Sequence, residues 1–233
     1  MRNMIIALAV SASAFAATPA AAETANWAGP YVGAVVGVTN THSNVNDNDS
    51  EISSWGNSGA LNGQRTSVTG GLTGGYNFQS GPFVYGVEGD VSLTDANTKA
   101  NGYSVNTYVH TRQHWSATAR ARAGIAIGNV LPYFTAGLSI GETRHEVYDY
   151  GAQDGYTGCG ASGSDTGWVC QTKTGVGYAV GGGVEGKVSK HVSVKAEYLH
   201  TTLPTATAYL YSYSPIHFSD SYDTFRVGVN YHF

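Results

Sequence analysis

Charge is scarce in this chain. Asp, Glu, Lys and Arg make up 12 % of 233 residues, with 12 bases against 16 acids. Without Arg2, which sits in a segment expected to be removed, the balance is 11 against 16, a formal charge of −5. A nucleic-acid partner needs a basic surface, so this balance argues against one. Two cysteines exclude a disulfide-dense scaffold. Beyond residue 22 no run of eighteen apolar residues remains, so no helical membrane span is expected. Neither a Gly-x-Ser-x-Gly elbow nor a His-Glu-x-x-His motif occurs. The Gly-rich stretch at Gly175–Gly183 is followed by no helical pattern, so it reads as a strand and not as a phosphate cradle. No catalytic constellation stands out, and a non-enzyme is expected.

Residues 1–22 read as a cleaved export signal. Arg2 supplies the positive end, Ile5 to Phe15 the apolar run, and Ala20-Ala21-Ala22 the small-residue cleavage site. The mature domain then spans 23–233. An exported protein meets an oxidising compartment, so a disulfide between Cys159 and Cys170 is the leading reading for the two thiols, with half a metal site the weaker one.

Glycine (31) and tyrosine (16) are abundant, and apolar residues are spread one in two. The closing strand sets Phe225, Val227, Val229, Tyr231 and Phe233 against Thr224, Arg226, Gly228, Asn230 and His232. That is the period of a strand with one apolar face. Eight such strands are expected, at Gly29–Thr39, Arg65–Phe78, Phe83–Thr94, His114–Ile127, Leu131–Thr143, Gly175–Val188, His191–Thr202 and Ser221–Phe233. Their connections alternate. Asn40–Gln64, Asp95–Gln113, Arg144–Thr174 and Pro204–Asp220 are long; Gln79–Pro82, Gly128–Val130 and Ser189–Lys190 are short. Long loops at one end and short turns at the other are the asymmetry of an outer-membrane barrel. The expected fold is all-β: an eight-stranded antiparallel transmembrane β-barrel with four long extracellular loops and three short periplasmic turns.

The charges well inside the strands fall on the polar face. Facing lipid, a mid-bilayer Arg would cost about 2–4 kcal/mol. Glu88, Arg120, Arg122, Glu185, Lys195, Glu197 and Arg226 are therefore expected to pack as an ion-paired network inside the barrel, since a buried charge is tolerated only when paired. Gly71, Gly75, Gly86, Gly181 and Gly183 on the same face would make room for them.

Several stretches resemble a known family. Trp27-Ala28-Gly29-Pro30-Tyr31-Val32-Gly33, Leu131-Pro132-Tyr133-Phe134-Thr135-Ala136-Gly137, Gly181-Gly182-Gly183-Val184-Glu185, Val192–Leu199 and Phe225–Phe233 are similar, in order and spacing, to segments of small alphaproteobacterial outer-membrane β-barrel proteins. The resemblance implies integral placement in the outer membrane. It also implies insertion by the outer-membrane assembly machinery, with Tyr231 and Phe233 in the insertion signal. Members include surface antigens, porin-like proteins and hemin-binding proteins.

The expected function is thus structural and surface-facing: envelope integrity, and an antigen or adhesin acting through its loops. Its partners would be outer-membrane lipid, lipopolysaccharide, and host or cell-surface molecules. A narrow porin for small solutes and a hemin receptor are the alternatives. No resident cofactor is expected. Hemin is the exception, because His and Tyr are axial ligand types, and His110 and His114 are the pair to test. Asp47-Asn48-Asp49-Ser50-Glu51 alternates hard oxygen ligands but lacks the Gly turn of a calcium loop, and reads as a solvated tip.

Overall fold

The structure, a computed structural model, describes residues 25–47, 60–101, 108–148, 168–210 and 214–233. Eight strands run in chain order: β1 (Gly29–Asp47), β2 (Ala60–Ser80), β3 (Phe83–Asn101), β4 (Tyr108–Ile125), β5 (Val130–Tyr148), β6 (Trp168–Lys187), β7 (Val192–Leu210) and β8 (Ser214–His232). Each pairs antiparallel with its neighbours, and β8 pairs back onto β1 to close a barrel. Closure leaves no sheet edge, which is what allows strands to cross a bilayer.

The short turns lie at one end. Gly81 and Gly128 hold them at φ 58° and 59°, the left-handed region open to glycine. At the other end pairing runs further than hydrophobic alternation suggests. β1 and β2 stay in register out to Asn46↔Ala60, deep into the stretch expected to be loop, and β4 begins at Tyr108 rather than at His114. The reason is that alternation marks only the lipid-embedded part of a strand. Ladder hydrogen bonds are indifferent to side chains and continue through Thr, Ser and Asn above it. The export signal with Ala20 and Ala22, Cys159 and most of the Asp47–Glu51 stretch lie outside the described residues, as do the side chains of Cys170 and His110.

Side-chain alternation divides the molecule into a wall and a filled interior. Val32, Val36, Val38, Leu72, Val87, Val91, Phe134, Leu138, Val194, Phe225, Val227 and Val229 point outward and are 45–80 % exposed. At the short-turn end, aromatic rings gird this belt. Phe78 stacks on Tyr85 at 5.5 Å, and Tyr231 stacks on His191 at 5.8 Å and meets Phe233 edge-on at 5.2 Å. Such rings mark the membrane–water boundary. Strand charges above the belt depart from the expected parity: Asp223 of β8 lies in register with outward-facing Asn40 and His200, and Glu142 of β5 shares the parity of outward-facing Leu138 and Ile140.

Val227 pairs with Val36 on β1 and Ala196 on β7, at the middle of the belt, whereas Val38 sits at its upper margin. Val227→Arg should therefore cost about 2–4 kcal/mol and Val38→Arg about 0–1 kcal/mol, as depth in the bilayer dictates. Denaturant unfolding in liposomes measures both, and equal costs would contradict this placement of the belt.

Candidate functional site

The interior of an eight-stranded barrel is just wide enough for side chains to fill. Here they are polar, and they converge from seven strands. Glu88 accepts from Arg120 Nη2 at 2.5 Å, from the Tyr31 hydroxyl at 2.8 Å and from Lys195 Nζ at 2.9 Å. Towards the long-loop end, Asp90 accepts from Arg120 Nη2 at 2.8 Å and Arg226 Nη1 at 2.9 Å, and from the Thr118 hydroxyl. Glu197 binds Arg226 Nε at 2.6 Å, Arg120 Nη1 at 3.1 Å and the Tyr133 hydroxyl at 3.1 Å. Towards the short turns, Glu185 accepts from Ser193 Oγ at 2.5 Å, Asn230 Nδ2 at 2.7 Å and Arg122 Nη2 at 2.8 Å, with His232 Nε2 at 3.3 Å.

The charges balance. Glu88, Asp90, Glu185 and Glu197 face Arg120, Arg122, Lys195 and Arg226, four against four, and each side chain in these pairs is at most 3 % exposed. Each acid meets two or more donors, which is the condition for keeping a carboxylate charged away from water. The Arg122 guanidinium also lies over the Tyr133 ring at 4.1 Å, a cation–π contact.

All seven residues expected in the lumen are in this network. Asp90, Tyr31, Tyr133, Ser193, Asn230 and His232 are members that sequence reasoning did not assign to it. Parity carries a signal for some of them, since Asp90 follows Glu88 by two on β3 and Tyr133 follows buried Leu131 by two on β5. Two glycines make space at close approaches. A Cβ on Gly75 would stand 2.5 Å from the Tyr31 hydroxyl oxygen, and one on Gly183 would stand 2.9 Å from that of Tyr133.

Below the network the chain closes its own mouth. Trp27, just before β1, is fully buried against Val84, Ala126 and Leu131 at the short-turn end. Its amide donates to Gln79 Oε1 at 2.7 Å, Gln79 Nε2 donates to Ala25 O at 3.3 Å, and the Ala25 amide donates to Gly128 O at 3.1 Å. Lys187 Nζ donates to Asn26 O at 2.5 Å and lies 5.3 Å from the Trp27 ring. Above the network a cup of about 40 Å³ is lined by hydroxyls, including Thr39, Thr69, Ser92 and Thr224, with Asp90 and Arg226 among its lining residues. That volume holds a few waters at most.

Of the other candidates, Tyr231 and Phe233 lie on the outer wall at the short-turn end, 47 % and 69 % exposed. His114 is exposed near the long-loop end of β4.

Arg120 is the residue whose loss should cost most, because it leaves Glu88, Asp90 and Glu197 short of a partner together. Arg120→Met should lower stability by about 3–5 kcal/mol, the scale for stranding a buried charge. Trp27→Ala should cost about 3–5 kcal/mol, the range for truncating a buried Trp. Urea unfolding followed by loss of heat-modifiable migration reads both; a change within about 0.5 kcal/mol for Arg120→Met would mean that the network is solvated.

The outer membrane protein beta-barrel domain family matches residues 6–233 of the chain. A 25 kDa outer-membrane immunogenic protein of Brucella melitensis is 28 % identical over 243 residues, covering 97 % of this chain and 93 % of that protein. A 31 kDa outer-membrane immunogenic protein of the same organism is 29 % identical, covering 94 % and 88 %. A 22 kDa outer membrane protein of Rhizobium leguminosarum is 33 % identical over 127 residues, 54 % of this chain and about half (48 %) of that protein. Among solved structures, the Neisserial surface protein A barrel aligns with TM-score 0.44 at 18 % identity, over 91 % of this chain and all of that one. OprG of Pseudomonas aeruginosa aligns with TM-score 0.49 at 12 % identity, over 88 % and 97 %. The chain belongs to the outer membrane protein beta-barrel family and is an eight-stranded barrel of the bacterial outer membrane, related to alphaproteobacterial surface antigens.

Proposed function

We propose that this protein is a non-conducting structural barrel whose role is to brace the outer membrane and present its long connections to the exterior, as a surface antigen or adhesin. The role is non-enzymatic on this reading. The observation that carries it is the lumen. Four carboxylates and four cations, all at most 3 % exposed, fill the cross-section in mutual contact. A permeating ion would have to break several charge-assisted hydrogen bonds at once, and the Trp27 segment lies across the short-turn mouth. The connections between β1 and β2, β3 and β4, β5 and β6, and β7 and β8 all emerge at the opposite end, where contact with host or neighbouring-cell molecules would be made.

A narrow pore is the competing reading. The refolded mature protein in a planar bilayer is expected to give no unitary conductance steps, and Arg120→Ala with Glu88→Ala is expected to create them by emptying the centre of the lumen. Reproducible steps from the wild type that change size in the mutant would reject the structural reading in favour of the porin.

A further inference from the structure

Among the described residues, two junctions of the wall end early on the way to the long-loop end. Between β2 and β3 the last pair is Thr69↔Thr94, although β2 extends to Ala60 and β3 to Asn101. Between β6 and β7 the last pair is Ala179↔Thr201. β6 nevertheless stays paired with β5 out to Tyr148↔Trp168, and β7 with β8 out to Leu210↔Ser214. Beyond these points the described strands form two four-stranded sheets, β7-β8-β1-β2 and β3-β4-β5-β6, each with two open edges.

The parting of β6 and β7 is held by specific contacts. Thr202 and Leu203 of β7 turn in across the inner face of β6, where a Cβ on Gly177 would overlap the Thr202 carbonyl. That carbonyl accepts from Ser139 Oγ on β5 at 2.9 Å in place of a β6 amide, and the Tyr178 amide is left with Thr202 Oγ1 at 3.5 Å. Leu203 is buried, and Pro204 has no amide to offer. The direction of the Tyr178 amide fixes the phase of the strand: even-numbered residues of β6 turn their N–H and C=O towards β7, odd-numbered ones towards β5. Past Tyr178 the even set is Val176, Thr174 and Thr172, and among the described residues their backbone groups on that side have no partner. Thr174 and Thr172 pair on β5 with Glu142 and Arg144, above the apolar pair Val176↔Ile140, so this edge stands in water.

Proteins blunt open sheet edges with charge, proline or bulges. Three of the four edges carry such features: Gly63 and Arg65 on β2, Asp95 and Lys99 on β3, and Pro204 with a register shift between Leu203 and Ala206 on β7. The β6 edge differs. Thr172, Thr174 and Val176 are β-branched and exposed, a surface suited to strand pairing, while Lys173 has the parity of inward-facing Gly175 and Gly177. What matches a row of unpaired N–H and C=O groups is another main chain. A second copy fits poorly. Two copies inserted the same way present their β6 edges in parallel, and a two-fold axis along the membrane normal sets N–H against N–H at the same height. A separate chain, free to run antiparallel, meets no such conflict. We propose that the β6 edge at Thr172, Thr174 and Val176 docks an extended segment of a foreign polypeptide, which adds to the β3–β6 sheet as an antiparallel strand. This gives the surface-facing role proposed above a partner class and rests on that role; it does not depend on whether the lumen conducts.

The test uses the full mature chain refolded in detergent micelles, with amide exchange read by NMR. In the free protein the amides of Thr172, Thr174 and Val176 are expected to exchange as exposed amides do, and those of Lys173 and Gly175, bonded to β5, at least about tenfold more slowly. The probe is a capped eight-residue peptide alternating threonine and valine, N-methylated at every second residue so that one edge alone can bond and the peptide cannot stack on itself. It should slow the three even-numbered amides about tenfold, and the fully N-methylated peptide should leave them unchanged. Thr174→Pro removes one edge donor and spares the β5 ladder, so it should weaken peptide binding about three- to tenfold, the scale of one hydrogen bond, with heat-modifiable migration retained. Equal protection of the two sets of amides in the free protein would mean that the edge is already covered, by this chain or a second copy, and would overturn the proposal. An equal effect of the two peptides, including none, or undiminished binding by Thr174→Pro would overturn it as well. Cells that attach to host proteins through this barrel equally well with Thr174→Pro would leave the surface-facing role standing and reject this edge as its site.

Discussion

A charge removed from water must find its opposite, and the barrel interior is organised by that requirement. The belt of outward valines and aromatics fixes which side chains face lipid, and alternation sends every second residue inward. On β3, β4, β6, β7 and β8 those inward residues include charged ones. They are stable there only as a set. Glu88 alone touches Arg120, Lys195 and Tyr31, which stand on three other strands. Arg120 in turn joins Glu88, Asp90 and Glu197. A pair would have sufficed for neutrality; a network with several donors per acid also fixes geometry, because each side chain is held from more than one direction.

The network also ties the strands into a closed wall. Glu88 and Arg120 stand opposite each other on adjacent strands, as do Glu197 and Arg226. Those pairs strengthen local register. Arg226–Asp90 and Lys195–Glu88 instead span the lumen, between β8 and β3 and between β7 and β3. These are contacts that only a closed barrel can make, so closure and charge pairing depend on each other.

This distinction explains what was legible beforehand. Period-two patterning exposes which face a residue takes, so the eight strands, the polar lumen and seven of its charged members could be read from residue order. Cross-lumen partners could not, because they depend on how the sheet closes, which alternation does not record. Tyr31 and Tyr133 were visible as family-like residues, but their place as hydrogen-bond donors to Glu88 and Glu197 depends on closure and on the space left at Gly75 and Gly183. The upward extension of the strands was hidden for a different reason. Above the bilayer no face needs to be apolar, so pairing through Asn40–Asp47 leaves no hydrophobic trace. Asp223 falls outside the expectation that charges well inside the strands face inward. That holds within the belt, and Asp223 stands one row beyond it.

Trp27 shows how the two ends of such a barrel differ physically. At the long-loop end the lumen grades into hydroxyl-lined space, where polar groups can meet water without cost. At the short-turn end the ion network would otherwise open directly to solvent, whose higher dielectric constant weakens ion pairs. The Trp27 ring, with Val84, Ala126 and Leu131, places an apolar layer there. His232 lies against that layer, its ring 5.8 Å from Trp27 and its Nε2 at Glu185, so the last charged residue of the network sits directly behind the cap. The few residues ahead of β1 thus act as part of the interior: they keep the lower half of the network dry, and dryness is what makes its pairing strong.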